Sequence, residues 1–487
     1  MGEIQDFGTI VLVVAAGFLL AVLASRLTER FPLPPPALFL VAAAVASDVH
    51  PELADALGGT KTVERIAVVA LVIILFDGGM HVGWERFRGS VVPIATLGVI
   101  GTFGTAAIIA LFAHAVLGFS WITAGIVGAA LAPTDPAVLF SVLGNREIGG
   151  RSGTILEGES GANDPVGIAL MIGVLELATH DASGWSIASE FVIELAVGLA
   201  VGIVGGVLLT RLMRVSLPGE GLYPIRVLAA GGVVYGATSV LGGSGFLAVF
   251  VAGLLISDVR APYKGEIERF HTALASLAEI AVFVALGLTV DVTDLVLDRQ
   301  WLDGLLLALF LALVARPVVV GLLLLPARLG GNERLFVVWG GLKGAVPILL
   351  ATFVLLSGVD GAGRIYNIVF VVVAFSVIVQ GTSIPLVART LRVPMRLVEP
   401  EPWDVSVRVR NEPHDLRRFV VAPGAPAVGC AIRELPFGES TWISMVVSDG
   451  GARRARGSYR FRVGDEVLAL ADSRDEPALR RLLEERA

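Results

Sequence analysis

The stretch Gly158-Glu159-Ser160-Gly161-Ala162-Asn163-Asp164-Pro165 sits inside an apolar segment, residues 153–178. That segment is long enough to span a membrane, which takes about 20 predominantly apolar residues. Glu159, Asn163 and Asp164 are the side chains hydrocarbon tolerates least. A charged group near the bilayer centre costs about 3 kcal/mol or more, so it persists only where it is paired, hydrated or used. The run therefore points to an ion pathway through a polytopic membrane protein, and the rest of the chain must supply its partners.

Working outward, the 487 residues are 55% hydrophobic and only 17% charged, with a mean hydropathy of +0.79. A soluble domain carries about a quarter of its residues charged, so the balance excludes one here. Long apolar runs recur from Ile10 to Leu391. The single cysteine, Cys430, excludes an intramolecular disulfide framework. The first apolar stretch, Phe7 to Ala24, lacks a basic flank and outruns the hydrophobic region of a signal peptide, so it reads as a span.

Thirteen spans are predicted: 7–25, 33–47, 62–80, 91–117, 121–143, 153–178, 188–210, 227–242, 246–257, 271–290, 303–325, 335–356 and 365–388. The short one at 246–257 reads as broken or re-entrant. Loops after odd-numbered spans hold 17 basic residues, among them Arg86, Arg88, Arg211, Arg214, Arg328 and Arg389. The other side holds four, Lys61, Arg65, Arg299 and Arg364, beside acidic stretches at 48–55 and 291–298. Basic loops stay in the cytoplasm, so the bias places the N-terminus outside and the C-terminus in the cytoplasm.

After Pro394 the character changes. Residues 404–487 are polar and contain 14 arginines. Val405–Val409, Phe419–Val421, Trp442–Val447, Tyr459–Val463 and Glu466–Leu470 read as short strands by β-branched and aromatic alternation. Pro477–Glu485 reads as a terminal helix. The expectation is a small α+β domain that dimerises or docks, because about 80 residues supply a modest core.

Two spans are interrupted. Span five contains Ala132-Pro133-Thr134-Asp135-Pro136 and span twelve contains Gly340-Gly341-Leu342-Lys343-Gly344-Ala345-Val346-Pro347. Prolines remove backbone donors, and backbone freed at membrane depth is tolerated where it lines a cavity. Spans five and twelve differ by an odd number, so they cross the membrane in opposite directions. Interrupted segments at corresponding places in two inverted halves mark a secondary transporter. The fold expected is an all-α polytopic membrane protein of about 13 helices, with two inverted repeats and crossed broken helices at spans five and twelve, ahead of the α+β tail.

At membrane depth lie Asp77, Asp135, Glu159, Asp164, Glu279, Arg316 and Lys343. Ser160 and Asp164 are four apart and share one helix face, while Glu159 and Asn163 share the next. Asp164 and Ser160, with Thr134 and Asp135 at the break in span five, offer oxygens to a cation. Oxygen donors suit hard cations such as sodium and potassium, and no His/Cys cluster suggests a transition metal. Two carboxylates at one site cannot both stay ionised without a counter-charge, so a cation and protons compete for the same oxygens. Structural pairing with Arg316 or Lys343 is the alternative reading. Glu159 reads as the structural partner of Arg316, and Lys343 as a neutraliser of carbonyl ends at the breaks. Asp77, in Phe76-Asp77-Gly78-Gly79, reads as either a carboxylate at the mouth of the pathway or a helix-end charge. Glu279 has no assigned role, and His114 lies near one end of an apolar helix.

The runs at 158–165, 132–136, 76–80, around Arg316 and at 341–347 resemble the monovalent cation:proton antiporter family of NhaP-like and animal sodium/proton exchangers, over residues 5–395. The resemblance implies an ion- and proton-binding role for Asp164, span-five ligands at Asp135 and Thr134, a further oxygen at Ser160, and potassium or sodium held at Asp164 and Asp135. Asn163 resembles the asparagine that marks electroneutral, one-for-one exchange. Glu159 and Arg316 resemble a stabilising ion pair. Lys343 stands where the family usually has arginine; charge is kept and fork-like bonding is lost. A homodimer with a moving core bundle is also implied. Residues 404–487 resemble the C-terminal half of potassium-conductance regulatory (TrkA-C-like) domains, through Pro423-Gly424-Ala425-Pro426 and Val463-Gly464-Asp465-Glu466. That suggests a potassium/proton branch, and the tail reads either as a regulatory ligand site, a nucleotide included, or as a dimerising cap. No GxGxxG half precedes it, which argues against a dinucleotide.

The function expected is electroneutral exchange of potassium or sodium against protons by alternating access, exporting the cation across the cytoplasmic (inner) membrane in the service of pH, ion and volume homeostasis. The alternative is a potassium channel or efflux system gated by its tail, but no TVGYG-like filter is present. No nucleophile–base cluster or HExxH run suggests an enzyme. No cofactor is implied, and no nucleic-acid partner; the partners expected are the bilayer, monovalent cations, protons and a second copy of the chain.

Overall fold

The computed structural model describes residues 34–49, 59–135, 137–143, 146–179, 184–259, 261–290, 292–397, 414–437, 441–448, 451–472 and 475–485, together with Leu19. The predicted span at 7–25 and the predicted strand at 405–409 lie outside the described residues. The chain divides into two compact units, Met1–Glu399 and Pro400–Ala487.

The first unit is helical. Helix α1 (Pro35–Val49) starts on a proline run, where a missing N–H costs nothing. Helix α2 (Thr60–Val82) stops at Gly83, which takes φ 71° and donates its N–H to Gly79. A short α3 (Trp84–Arg88) leads into α4 (Val91–Leu117), which carries a π-helical turn at Thr96–Gly101. Then come α5 (Trp121–Leu131), capped by the Ser120 hydroxyl on the Thr123 N–H, and α6 (Ala137–Leu143). Strand β1 (Arg146–Ile148) precedes α7 (Arg151–Thr179) and α8 (Gly184–Met213). Next follow α9 (Leu222–Val240), α10 (Gly245–Ser257), α11 (Lys264–Gly287), the short α12 (Val292–Leu297) and α13 (Gln300–Leu323). The last are α14 (Gly331–Gly340), α15 (Ala345–Ser357) and α16 (Ala362–Thr390), closed by β2 (Met395–Leu397), which pairs antiparallel with β1.

Among the described residues eight segments are long and apolar enough to cross a membrane, α14 and α15 counting together as one, and shorter apolar helices fill the gaps, α5 and α10 among them. Spans two to thirteen of the sequence each fall on a helix or on a broken pair. The breaks come where expected: α5 stops at Leu131 and α6 starts at Ala137, while α14 stops at Gly340 and α15 starts at Ala345. With no hydrophobic drive between helices in lipid, close packing of small residues holds them together. Helices α2 and α10 touch backbone to backbone, since a Cβ on Gly79 would lie 2.4 Å from the Phe250 carbonyl and one on Gly253 the same distance from the Phe76 carbonyl.

The second unit is a four-stranded antiparallel sheet in the order β3 (His414–Val420), β6 (Glu466–Asp472), β4 (Trp442–Ser448), β5 (Gly451–Arg454). Helix α17 (Glu476–Leu483) follows, and Leu479 and Leu483 pack with Phe419, Val446, Phe461 and Val467. One predicted strand, Tyr459–Val463, does not join the sheet. Its backbone instead bonds to the loop at Gly429–Ile432, and it ends in a turn at Gly464 (φ 88°) held by Asp465, whose Oδ2 accepts from Tyr459 Oη and the Arg462 N–H at 2.8 Å each. Strand β5 is the converse case: Gly451-Ala452-Arg453-Arg454 has no apolar alternation to announce it.

Candidate ion-exchange site

The two interruptions meet. The Asp135 N–H donates to the Leu342 carbonyl at 2.8 Å, tying the unwound part of span five to that of span twelve. Helix ends leave orphan carbonyls at one end and orphan N–H groups at the other, with partial charges to match. Each break places a side chain of the right sign there. Lys343 Nζ donates to the Ala132 and Pro133 carbonyls at 2.8 and 2.7 Å, beyond the C-terminal end of α5. Asp135 Oδ2 accepts the Ala345 N–H at 3.4 Å, at the N-terminus of α15. A Cβ on Gly344 would lie 2.0 Å from that same oxygen, so only glycine leaves room for the carboxylate.

Helix α7 lies against this crossing. A Cβ on Gly167 would meet the Pro133 ring at 2.2 Å, which shows how closely the helix approaches the break. Asn163 Nδ2 donates to Thr134 Oγ1 at 2.7 Å, and its Oδ1 faces the Thr134 N–H at 3.4 Å. The next residue, Asp164, is 2% exposed and hydrogen-bonded to the Ser160 hydroxyl one turn back. Its Oδ1 is buried without a hydrogen-bond partner, and the charges of Asp135 and Lys343 both act on it. A buried carboxylate oxygen with no donor in reach can accept a proton or a small cation.

Glu159 lies on the neighbouring face, in a two-pronged ion pair: Arg316 Nη1 to Oε1 at 2.9 Å and Nη2 to Oε2 at 3.1 Å. Arg316 also donates from Nε to the Val338 carbonyl at 2.8 Å and from Nη2 to that of Val337 at 3.3 Å. It therefore neutralises Glu159 and closes the end of α14 together. Asp77 belongs to a different cluster, with His81 Nδ1 3.3 Å from one oxygen and Thr272 Oγ1 3.4 Å from the other. His114 bonds the Phe119 carbonyl and stacks on Trp121, a helix-end arrangement.

One residue at the crossing escapes a sequence reading, as does the setting of a second. Ser376 Oγ accepts the Lys343 N–H at 2.9 Å and donates to Gln380 Oε1 at 2.9 Å, so the π-helical turn Ser376–Gly381 of α16 braces the break. The only signal was two polar residues four apart in an apolar run. Glu279 on α11 is the other: its Oε1 is buried without a partner, and the charge of Asp135 acts on it. Among the described residues no group of three or more His, Cys, Asp and Glu is placed to hold a metal ion.

A buried open carboxylate, set where two broken helices cross in a bundle of apolar rods, defines a secondary transporter of small cations. The chain belongs to the sodium/hydrogen exchanger family, whose transmembrane model matches residues 14–390. It is 34% identical to the K(+)/H(+) antiporter NhaP of Alkalimonas amylolytica, over 97% of this chain and 83% of that one. It is 32% identical to the K(+)/H(+) antiporter NhaP2 of Shewanella oneidensis, over 95% and 81%. In fold it resembles the sodium proton antiporter MjNhaP1 of Methanocaldococcus jannaschii, with a TM-score of 0.69 at 22% identity, over 80% of this chain and 99% of that one.

Proposed function

We propose that this chain is a membrane-embedded antiporter that exchanges potassium or sodium for protons, one for one, with Asp164 as the group both ions share. The carrying observation is the buried Asp164 Oδ1 without a partner, beside a hydroxyl from Ser160 and under the charge of Asp135. Thr134 and Asp135 supply further oxygens from the break in span five, and Asn163 positions Thr134. Glu159, Arg316 and Lys343 neutralise one another and the helix ends, so they hold the crossing rather than the cargo. Exchange is electroneutral because a cation or a proton brings the same charge to the same carboxylates. The relatives named as K(+)/H(+) antiporters favour potassium as cargo.

The remaining assignments follow from the sequence. The N-terminus lies outside and the C-terminus in the cytoplasm of the inner membrane, the protein works as a homodimer, and the unit Pro400–Ala487 regulates it. The chain is a carrier and not an enzyme, and it needs no cofactor. The test is cation-dependent proton movement in proteoliposomes under an imposed gradient. The parent is expected to exchange and Asp164→Asn to be inactive. No exchange by the parent, or an Asp164→Asn variant equal to it, would sink the reading.

A further inference from the structure

We propose that Glu279 is a further ion-handling carboxylate of the exchange site, reached from one membrane face along a polar stripe of α11 formed by Thr272 and Ser276, with Asp77 and His81 at its mouth. The proposal rests on the exchange reading above and adds to it a residue and a route.

Thr272, Ser276 and Glu279 fall at i, i+4 and i+7, one face of a helix. At the outer end of the stripe Thr272 Oγ1 lies 3.4 Å from Asp77 Oδ1 and 3.5 Å from His81 Nε2. Among the described residues Thr272 and Ser276 are exposed, Thr272 beside α2 at Asp77 and His81. At the inner end Glu279 leaves Oε1 buried and without a partner. An ionisable group at membrane depth faces the bundle interior or a water-filled cavity, so the stripe joins two charged clusters through water.

Among the described residues, the helices packed on α11 place no ion-pair partner on Glu279. Helix α2 carries Lys61, Glu64 and Arg65 in its first two turns and, near its other end, Asp77 and His81, which pair with each other and are the ones that meet α11, at Thr272. The charged residue of α1 is Asp48, which accepts from Thr293. That of α9 is Arg226, which donates to the Met213 and Val215 carbonyls. Helix α15 has no charged side chain and starts at Ala345, whose N–H meets Asp135. The charge of Asp135 acts on Glu279 and on Asp164, and each of those two leaves one buried oxygen without a hydrogen-bond partner.

Glu279 then takes its proton or cation from water in the stripe and hands it on. In the proton leg an O–H bond at Glu279 breaks as one forms at a carboxylate of the exchange site, and the ionised state passes from one carboxylate to the other with no change in net charge.

Two experiments test this. In pH-resolved exchange with full-length protein in proteoliposomes, Glu279→Gln is expected to raise the apparent KM for the cation about tenfold or move the pH profile by about one unit, with the maximal rate less affected and Glu279→Asp recovering most of the parent's behaviour. A Glu279→Gln variant with the parent's KM and profile overturns the proposal. In a Cys430→Ser background, Thr272→Cys and Ser276→Cys are expected to react with a charged, membrane-impermeant thiol reagent. Reaction only with a lipid-soluble maleimide would place the stripe against lipid and overturn the route. The labelling needs no transport, so a parent without exchange would defeat the antiport reading while the route is still read out.

Discussion

Asn163 shows how much one side chain decides at this site. Its amide spans Thr134, donating at 2.7 Å and facing the N–H at 3.4 Å, so it fixes the break without bringing charge. Asn163→Asp keeps the size and adds a carboxylate beside Asp164, and the two legs of the cycle then no longer need to carry equal charge. Transport by the variant is expected to respond to voltage, by at most about 2.3 kcal/mol per 100 mV for a full charge. The parent is expected to be indifferent; flux under a potential set by an ionophore that does not carry the cargo decides. Glu159 gives a stability prediction. Arg316→Met strands a buried carboxylate, which costs about 3–5 kcal/mol. Thermal unfolding in detergent should show the loss, and Arg316→Met with Glu159→Gln should regain only part of it, because the Val337 and Val338 carbonyls lose their donor as well. Glu159, Asn163 and Asp164 were legible because a charged or strongly polar side chain in an apolar run is itself an anomaly. Glu279 was visible as such a charge, yet its role was not, because its link to Asp135 runs between helices far apart in the chain.

At the scale of elements, the broken helices show why punctuation was readable and bracing was not. Pro133, Pro136, Gly341 and Gly344 mark the breaks in the sequence, since they withdraw donors or side chains. What each glycine makes room for appears only in three dimensions. A Cβ on Gly341 would sit 1.7 Å from Arg316 Cζ, and that guanidinium is pinned by Glu159 and two carbonyls. Gly341→Ala is therefore expected to destabilise by about 1–3 kcal/mol, the ordinary cost of overpacking, and to slow exchange. Gly232→Ala on α9, with nothing within 4 Å of its Cβ, is the matched control. Equal melting points for the two would contradict the close contact. The tail teaches the same lesson in sheet form. Tyr459–Val463 alternates like a strand but is diverted by the turn at Gly464, and β5 does not alternate yet pairs with β4.

For the whole molecule, exchange follows from competition at shared oxygens. On the proposed reading a proton on Asp164 excludes the cation and a bound cation excludes the proton, so each weakens the other by the same factor. The apparent KM for the cation is expected to rise as pH falls, approaching about tenfold per unit once the shared carboxylate is mostly protonated, while saturating cation restores the maximal rate. A maximal rate that falls with pH while KM stays constant would mean that the proton and the cation bind at different places. Cation preference is a property of this crossing, where all the oxygen donors named here reside. The second unit begins at Pro400, after α16 has ended at Thr390, and none of the donors named belongs to it. Truncation after Pro394 is therefore expected to shift the threshold of activation without reordering sodium, potassium, rubidium and lithium in proteoliposome flux. A reordered series would show that the tail reaches into selectivity, which no feature of the crossing explains.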